Sequence, residues 1–426
     1  MKFPKDLAWL QDLGGWFIFF LILYVILLIK LSANYYNTYH SVFFTIYSIT
    51  IGAYILSRFV LAYFHKSPHY DPNYEPTVTF VVPAKNEEDN IAETIRRFSQ
   101  VNYPKEKIEV ITINDGSTDG TLAEMLSIKK ECAPLGMRVE VINWEVNKGK
   151  REGMAEGVKR AHNDIIIFID SDSFIDQDCV KHLVKYFSNP RVGAVAGSTD
   201  VYNRDTNLLT KMQALRYYVA FHVYKAAESI FGSVTCCPGC CSAYRKSYVD
   251  PILDQWLNQV FFGVTCTFGD DRSLTNFIIR KYDAVYCPEA RAFTVVPDQF
   301  GKYVRQQQRW KKSWIRETFI ASTFMWKKNV IAAISFYSYV FLAFAAPIVF
   351  IRAIIYLPLF VSKQWPIAYL FGLAIMLILH GIYYHNHVKN SPWFLPALTF
   401  WFYTVMLIWQ LPWAFVTMQD TRWGTR

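Results

Sequence analysis

Ile165-Ile166-Ile167-Phe168-Ile169-Asp170-Ser171-Asp172 decides how the chain is read. The apolar, mostly β-branched run has the length of one buried strand. It stops abruptly at two carboxylates spaced by a single residue. Four further runs have the same character: Val78–Val82, Ile108–Ile113, Val139–Ile142 and Val192–Ala196. Between them, helical patterns cover Asp89–Gln100, Thr118–Cys132, Lys150–Ala161 and Asp178–Phe187. Strand and helix in alternation predict an α/β domain with a mostly parallel sheet. Ligands of such sheets bind at the carboxyl ends of the strands, so functional residues belong directly after each apolar run.

Working outward, polarity changes at both ends. The 426 residues include 35 acids, and outside Asp71–Glu317 the only ones are Asp6, Asp12 and Asp420. A polar middle between two apolar ends excludes an ordinary soluble protein. The apolar ends hold stretches long enough to cross a bilayer: Leu13–Leu31, Val42–Phe64, Val330–Phe360, Trp365–Tyr384 and Trp393–Met418. No small-residue cleavage site follows the first, and a second comes at once, so it reads as an uncleaved anchor. Lys2, Lys5, Arg58, His65 and Lys66 flank the first pair, against Lys30 alone in their connecting loop. That bias places the N-terminus and the polar middle inside. The formal charge of +9 follows from such flanks, with no nucleic-acid-binding module beside it. Arg352 interrupts the third stretch and reads as a cation snorkelling to the membrane edge.

All eight cysteines, Cys132, Cys179, Cys236, Cys237, Cys240, Cys241, Cys266 and Cys287, lie in the polar middle. Free thiols in a reducing cytosol explain this better than disulfides. The run Cys236-Cys237-Pro238-Gly239-Cys240-Cys241 admits a zinc or a redox reading. A closed zinc site needs four ligands, and a tight pocket-lining loop is preferred.

The strand ends carry the chemistry. The first leads into Pro83-Ala84-Lys85-Asn86-Glu87, the second into Asn114-Asp115-Gly116-Ser117-Thr118-Asp119. Acids and amides there can hydrogen-bond a base and a ribose, although turns use the same residues. Asp170 and Asp172 can share a divalent ion with a diphosphate, since Mg²⁺ takes one or two carboxylates plus phosphate oxygens. Asn147-Lys148-Gly149-Lys150-Arg151 opens a helix with cations and free N–H groups suited to phosphate. In Gly269-Asp270-Asp271-Arg272 the paired acids suit a general base, or helix capping, or both. Gln306-Gln307-Gln308-Arg309-Trp310 lies in a basic, amphipathic stretch. An Arg there can clamp a diphosphate and a Trp can stack on a sugar.

These motifs, in this order, resemble membrane-bound processive family 2 glycosyltransferases, and most of all hyaluronan synthases. Gly269–Asn276, Gln306–Trp314 and the terminal Trp423-Gly424-Thr425-Arg426 carry the likeness. The resemblance implies an α/β GT-A (Rossmann-like) cytosolic domain inserted between N- and C-terminal transmembrane helices, with amphipathic interface helices. It implies domains at 1–66 (membrane), 67–300 (catalytic), 301–328 (interface), 329–418 (membrane) and 419–426 (gate). By the same resemblance, Ala84, Asn86, Glu87, Asp115, Lys148, Asp170 and Gln306 contact the nucleotide sugar. Asp172, with Asp170, holds Mg²⁺ or Mn²⁺. Asp271, beside Asp270, deprotonates the acceptor. Arg309 holds the diphosphate, Trp310 stacks on the acceptor, and Trp423 and Arg426 close over the UDP. The family usually continues with basic residues where this sequence stops at Arg426.

The implied activity is polymerisation of UDP-GlcNAc and UDP-GlcA into hyaluronan by an integral, multi-pass plasma-membrane protein. It would act as a monomer or homodimer among membrane lipids, exporting the nascent polysaccharide through its own channel. The alternatives are a chitin or chitooligosaccharide synthase using UDP-GlcNAc alone, and a non-processive lipid-linked sugar transferase. For the terminal motif to share the cytosol with the catalytic domain, an even number of crossings must follow Glu317. Of the three apolar stretches there, one must then be re-entrant or double back, and Pro347, Pro358, Pro396 and Pro412 offer the breaks.

Overall fold

The computed structural model describes residues 42–69, 71, 73–361, 380–388, 391–392, 394–403 and 407–420. Leu13–Leu31, most of Trp365–Tyr384, and Trp423 and Arg426 lie outside the described residues. The chain divides into two compact units at Phe59/Val60, Ile334/Ser335 and Trp409/Gln410.

In the larger unit the apolar runs become strands: β1 Val78–Ala84, β2 Ile108–Asp115, β3 Arg138–Trp144, β4 Ile165–Phe168 and β6 Val192–Val201. Between β4 and β6 runs a short strand, β5 Ser173–Ile175. The intervening helices are α1 Ile91–Ser99, α2 Thr121–Cys132, α3 Lys150–Arg160 and α4 Cys179–Val184. Every residue of β1, β2 and β4 is buried, as strands covered on both faces require. The parallel register places Phe80 beside Val110 and Ile167. Phe80 also stacks on Phe98 of α1, centroids 4.0 Å apart. On α3, a Cβ at position 157 would stand 2.2 Å from Val81 Cγ1, so only glycine lets α3 lie this close to β1.

The sheet order is β3-β2-β1-β4-β7-β6-β10-β5, where β7 is Ser242–Arg245 and β10 is Asp283–Thr294. Strands β3, β2, β1 and β4 run parallel, as do β6 and β10. Strand β7 inserts antiparallel between β4 and β6, and β5 pairs antiparallel with β10. The expected parallel sheet is therefore mixed on one side. Strand β7, Ser-Ala-Tyr-Arg, has no apolar run to announce it. Four more elements position the site: α5 Leu208–Val219, α6 Asp270–Ile279, α7 Phe300–Ser322 and α8 Gln410–Val416. A two-stranded hairpin, β8 Val260–Phe261 with β9 Val264–Thr265, precedes α6.

Among the described residues two helical segments are long and apolar enough to cross a membrane, Ile46–Phe64 and Val330–Phe360. In the smaller unit Tyr54 stacks on Tyr339 at 5.9 Å and Phe43 meets Phe341 edge-on. The second segment changes at Arg352 from α- to π-helical winding, which runs through Pro358 to Val361. A π-bulge at a proline relieves the missing i−4 hydrogen bond. The Arg352 guanidinium lies 3.7 Å from the centroid of Phe44. The last apolar stretch is not one helix: Leu395–Trp401 and α8 are separated by a turn at Leu407–Trp409.

Candidate active site

The loops after β1 and β2 are tied to each other. Asn86 sits at φ 55°, a left-handed conformation that asparagine tolerates better than most residues. Its N–H donates to Ser117 Oγ at 3.0 Å, and its Oδ1 accepts from the Thr118 N–H at 2.9 Å. The Glu87 N–H donates to Thr121 Oγ1 at 2.7 Å, and Glu88 Oε2 accepts from the Gly120 N–H. Asp115, buried, accepts from the Lys148 N–H at 2.6 Å and from the Gly149 N–H at 3.0 Å. Its carboxylate therefore shapes the loop entering α3. The Lys148 ammonium lies 4.4 Å from the centre of the Trp144 ring.

After β4, Asp170 is ion-paired with Lys150 of α3. Burial alone would lower the Lys150 pKa, but Asp170, with Asp270 and Asp271 farther off, raises it. Burial, and then the charge of Asp170, pushes Asp172 up to about 6. A divalent cation would offset the burial and repulsion that raise Asp172. Among the described residues no three His, Cys, Asp or Glu gather to hold a metal, so the closed zinc site is not formed.

The Cys236–Cys241 loop lies on the acids instead. The Cys240 thiol donates to Asp170 Oδ2 and the Cys236 thiol to Asp271 Oδ2, each at 3.6 Å. A Cβ at Gly239 would come within 2.8 Å of Asp170 Oδ1. Burial raises the thiol pKa of Cys236 to about 11, so it remains a neutral donor.

Adjacent acids at the start of α6 have separate environments. Asp270 is buried and bonded to Arg151 Nε at 2.7 Å. Arg151 also donates to Trp256 O and Gln259 Oε1. The Asp270 carboxylate is thus enclosed with its cation. Asp271 is half-buried, and its Oδ1 accepts from the Arg272 N–H at 2.8 Å. Gly269, at φ 79°, starts the helix against α7, where an added Cβ would lie 1.9 Å from Ser313 Oγ. Gly269→Ala is expected to cost about 1–3 kcal/mol through left-handed strain and overpacking. Thermal unfolding in detergent checks this, and an unchanged midpoint would contradict it.

Helix α7 carries the Gln-rich motif. Burial lowers the Arg309 pKa, and the charges of Asp270, Asp271 and Asp170 oppose that effect. Arg309 thus shares one electrostatic neighbourhood with the acids of two separate segments. Trp310 is more than one-third exposed, with Tyr217 of α5 at 6.4 Å between centroids. Gln307, rather than Gln306, is the enclosed glutamine and accepts from Arg216 of α5. Gln306 is half-buried, and its Oε1 lacks a hydrogen-bond partner. Farther along, Glu317 is fully buried and accepts from Asn276 at 2.9 Å and Gln259 at 3.1 Å, locking α6 to α7.

The fold therefore brings together Asp170, Asp172, Asp271 and Arg309, with the Asn86, Glu87 and Asp115 loops along the same sheet ends. The motifs include Arg151 and, in a pocket-lining loop, Gly239, but they do not pair Arg151 with Asp270 or set Gly239 against Asp170, and Glu317 stands outside them. Arg151 was legible only as one more cation of a helix start, and Glu317 only as the last acid before the apolar end.

The family model "Glycosyl transferase family 2" matches residues 79–253. A hyaluronan synthase of Streptococcus pyogenes is 30% identical over 388 residues, covering 89% of this chain and 90% of that protein. An N-acetylglucosaminyltransferase of Azorhizobium caulinodans is 35% identical over 263 residues, 61% of this chain and 65% of the other. Among solved structures, a mannosyltransferase from Pyrobaculum calidifontis, in complex with GDP-Man and Mn²⁺, superposes with a TM-score of 0.62. It is 20% identical, over 95% of this chain and all of that one, a likeness of fold.

Proposed function

The chain belongs to glycosyl transferase family 2, in its hyaluronan synthase-like group, and on that premise we propose that it polymerises UDP-GlcNAc and UDP-GlcA into hyaluronan. The acceptor hydroxyl oxygen attacks the anomeric carbon of the donor sugar. The bond from that carbon to the diphosphate breaks, its electron pair leaves on UDP, and the configuration inverts. Asp271 takes the acceptor proton. The observation that carries this reading is the contrast between the two acids of α6: Asp270 is closed off with Arg151, and Asp271 is not.

Arg309 holds the diphosphate, and its partial burial strengthens that attraction, because less water screens the charge. Asp170 and Asp172 would hold Mg²⁺ or Mn²⁺, which would supply charge neutralisation for the leaving diphosphate. Asn86, Glu87, Asp115 and Lys148, beside Ala84, line the nucleotide side, with Gln306 facing it from α7. Trp310 offers an aromatic face to the acceptor sugar, which C–H groups of a pyranose stack upon.

The membrane reading is part of the same proposal. The spans Ile46–Phe64 and Val330–Phe360 belong to the passage for the polymer, with the catalytic unit in the cytosol. The last apolar stretch is interrupted at Leu407–Trp409, a break that a re-entrant segment would require.

The test is purified protein given each UDP-sugar alone and then both, with the product exposed to a hyaluronan-specific lyase. Lyase-sensitive polymer should form only with both donors. Polymer from UDP-GlcNAc alone would favour the chitooligosaccharide reading, which similarity to an N-acetylglucosaminyltransferase keeps in view.

A further inference from the structure

The β8–β9 hairpin ends in a turn whose chemistry is out of place. Phe262 and Gly263 both have positive φ, 47° and 77°. Two-residue hairpin turns of this type favour Asn-Gly or Asp-Gly, because a bulky residue is strained in the left-handed region. Phenylalanine fills the first position, and it is 69% exposed, its ring touching chiefly that of Phe261 at 4.4 Å. Packing inside the protein does not account for a large apolar side chain on a strained, projecting turn.

The tip belongs to a larger surface. Phe261 lies 6.4 Å from Phe319 of α7, and Phe319 lies 6.4 Å from Phe415 of α8. Val260 and Trp413 are also exposed. Two of the three segments that build this surface are without charge: no Asp, Glu, Lys or Arg occurs from Gln255 to Gly269 or from Gln410 to Gln419, and α7 contributes Phe319 alone. In a catalytic unit otherwise covered with ion pairs, an exposed aromatic patch drawn from separate segments marks a contact surface. Its composition, Phe and Trp with uncharged polar neighbours, is that of the interfacial layer of a bilayer.

We propose that the β8–β9 hairpin dips into the interfacial layer of the membrane, with Phe262 as its anchor and Phe319 and Phe415 continuing the contact. This rests on the membrane reading given above and adds an attachment point inside the catalytic unit. The hairpin leads through Cys266 and Phe268 directly into Gly269-Asp270-Asp271. Lipid contact at the tip thereby fixes the segment that presents the base.

The test uses the full chain in nanodiscs holding one copy each. A nitroxide is placed on Phe262→Cys, on Ile331→Cys in the apolar helix, and on Leu135→Cys at an exposed turn of the catalytic unit. The unsubstituted chain, labelled in parallel, corrects for native thiols. Label at 262 should lose collisions with a water-soluble nickel complex and gain them with oxygen, as at 331 and opposite to 135. Label at 262 behaving like that at 135, with 331 in lipid, overturns the hairpin proposal and leaves the membrane reading standing. Aqueous behaviour at both 262 and 331 overturns both. A water-shielded label at 262 that also stays inaccessible to oxygen points to a protein-covered site and rejects the lipid contact. Phe262→Asn, which suits the turn better, should fold and still reduce polymer formation in lipid, and full activity there would count against the anchor.

Discussion

Asp271→Asn should lower the rate of UDP release in the presence of acceptor by about 10²- to 10⁴-fold, the usual worth of a positioned general base. The amide keeps the shape and the contact to the Arg272 N–H but cannot accept the acceptor proton. Thermal unfolding should stay near that of the parent, because Asp271 is only half-buried and its side chain does not cap the helix, whose N-cap is Gly269. Donor binding, measured as UDP affinity, should persist. Full UDP release by the purified variant would remove Asp271 from the chemistry. A fall in rate that follows a fall in the folded fraction would assign it a structural part instead.

Arg151→Ala should have the largest effect on stability. Removing the cation leaves Asp270 buried with an uncompensated charge, a loss of about 3–5 kcal/mol for a buried pair broken from one side. The effect is large because Arg151 holds Asp270, Trp256 O and Gln259 Oε1 together from the inside. Chemical unfolding in detergent measures it. Asp270→Asn in the same background should restore part of the loss, since it removes the stranded charge. Arg151→Ala with parental stability and no turnover would place the Arg151–Asp270 pair in the reaction, contrary to its enclosure. The two predictions separate neighbours in sequence: one acid is lost from catalysis, the other from the fold.

Most of the sheet was legible because its strands are buried on both faces and so appear as unbroken apolar runs. Strands β5, β7 and β10 were not: three or four residues give β5 and β7 no periodicity, and in β10, Asp-Ala-Val-Tyr-Cys-Pro-Glu-Ala-Arg-Ala-Phe-Thr, charged residues and a proline break any apolar run. The acids after β4 and at the start of α6 were legible as motifs. Their different environments were not: Asp270 and Asp271 are chemically identical in the sequence, and helix geometry turns one inward and the other toward the open side. Arg151 lies more than a hundred residues from Asp270, so no local pattern pairs them. Gly269 shows the same limit, since its necessity comes from Ser313 on another helix.

By itself the sequence determined the layered α/β core, the apolar ends, and which residue types stand at the strand ends. Those follow from local hydrophobic period, strand length and the abrupt change from apolar to polar residues, all of which a chain carries without reference to its partners. The tertiary structure alone decided which carboxylate is enclosed, which glutamine of the Gln-rich motif is buried, and that thiols lie on the site acids. It also decided that the hairpin tip projects a phenylalanine from a strained turn. Burial and pairing depend on what the rest of the chain brings alongside, and that is settled only when distant segments pack.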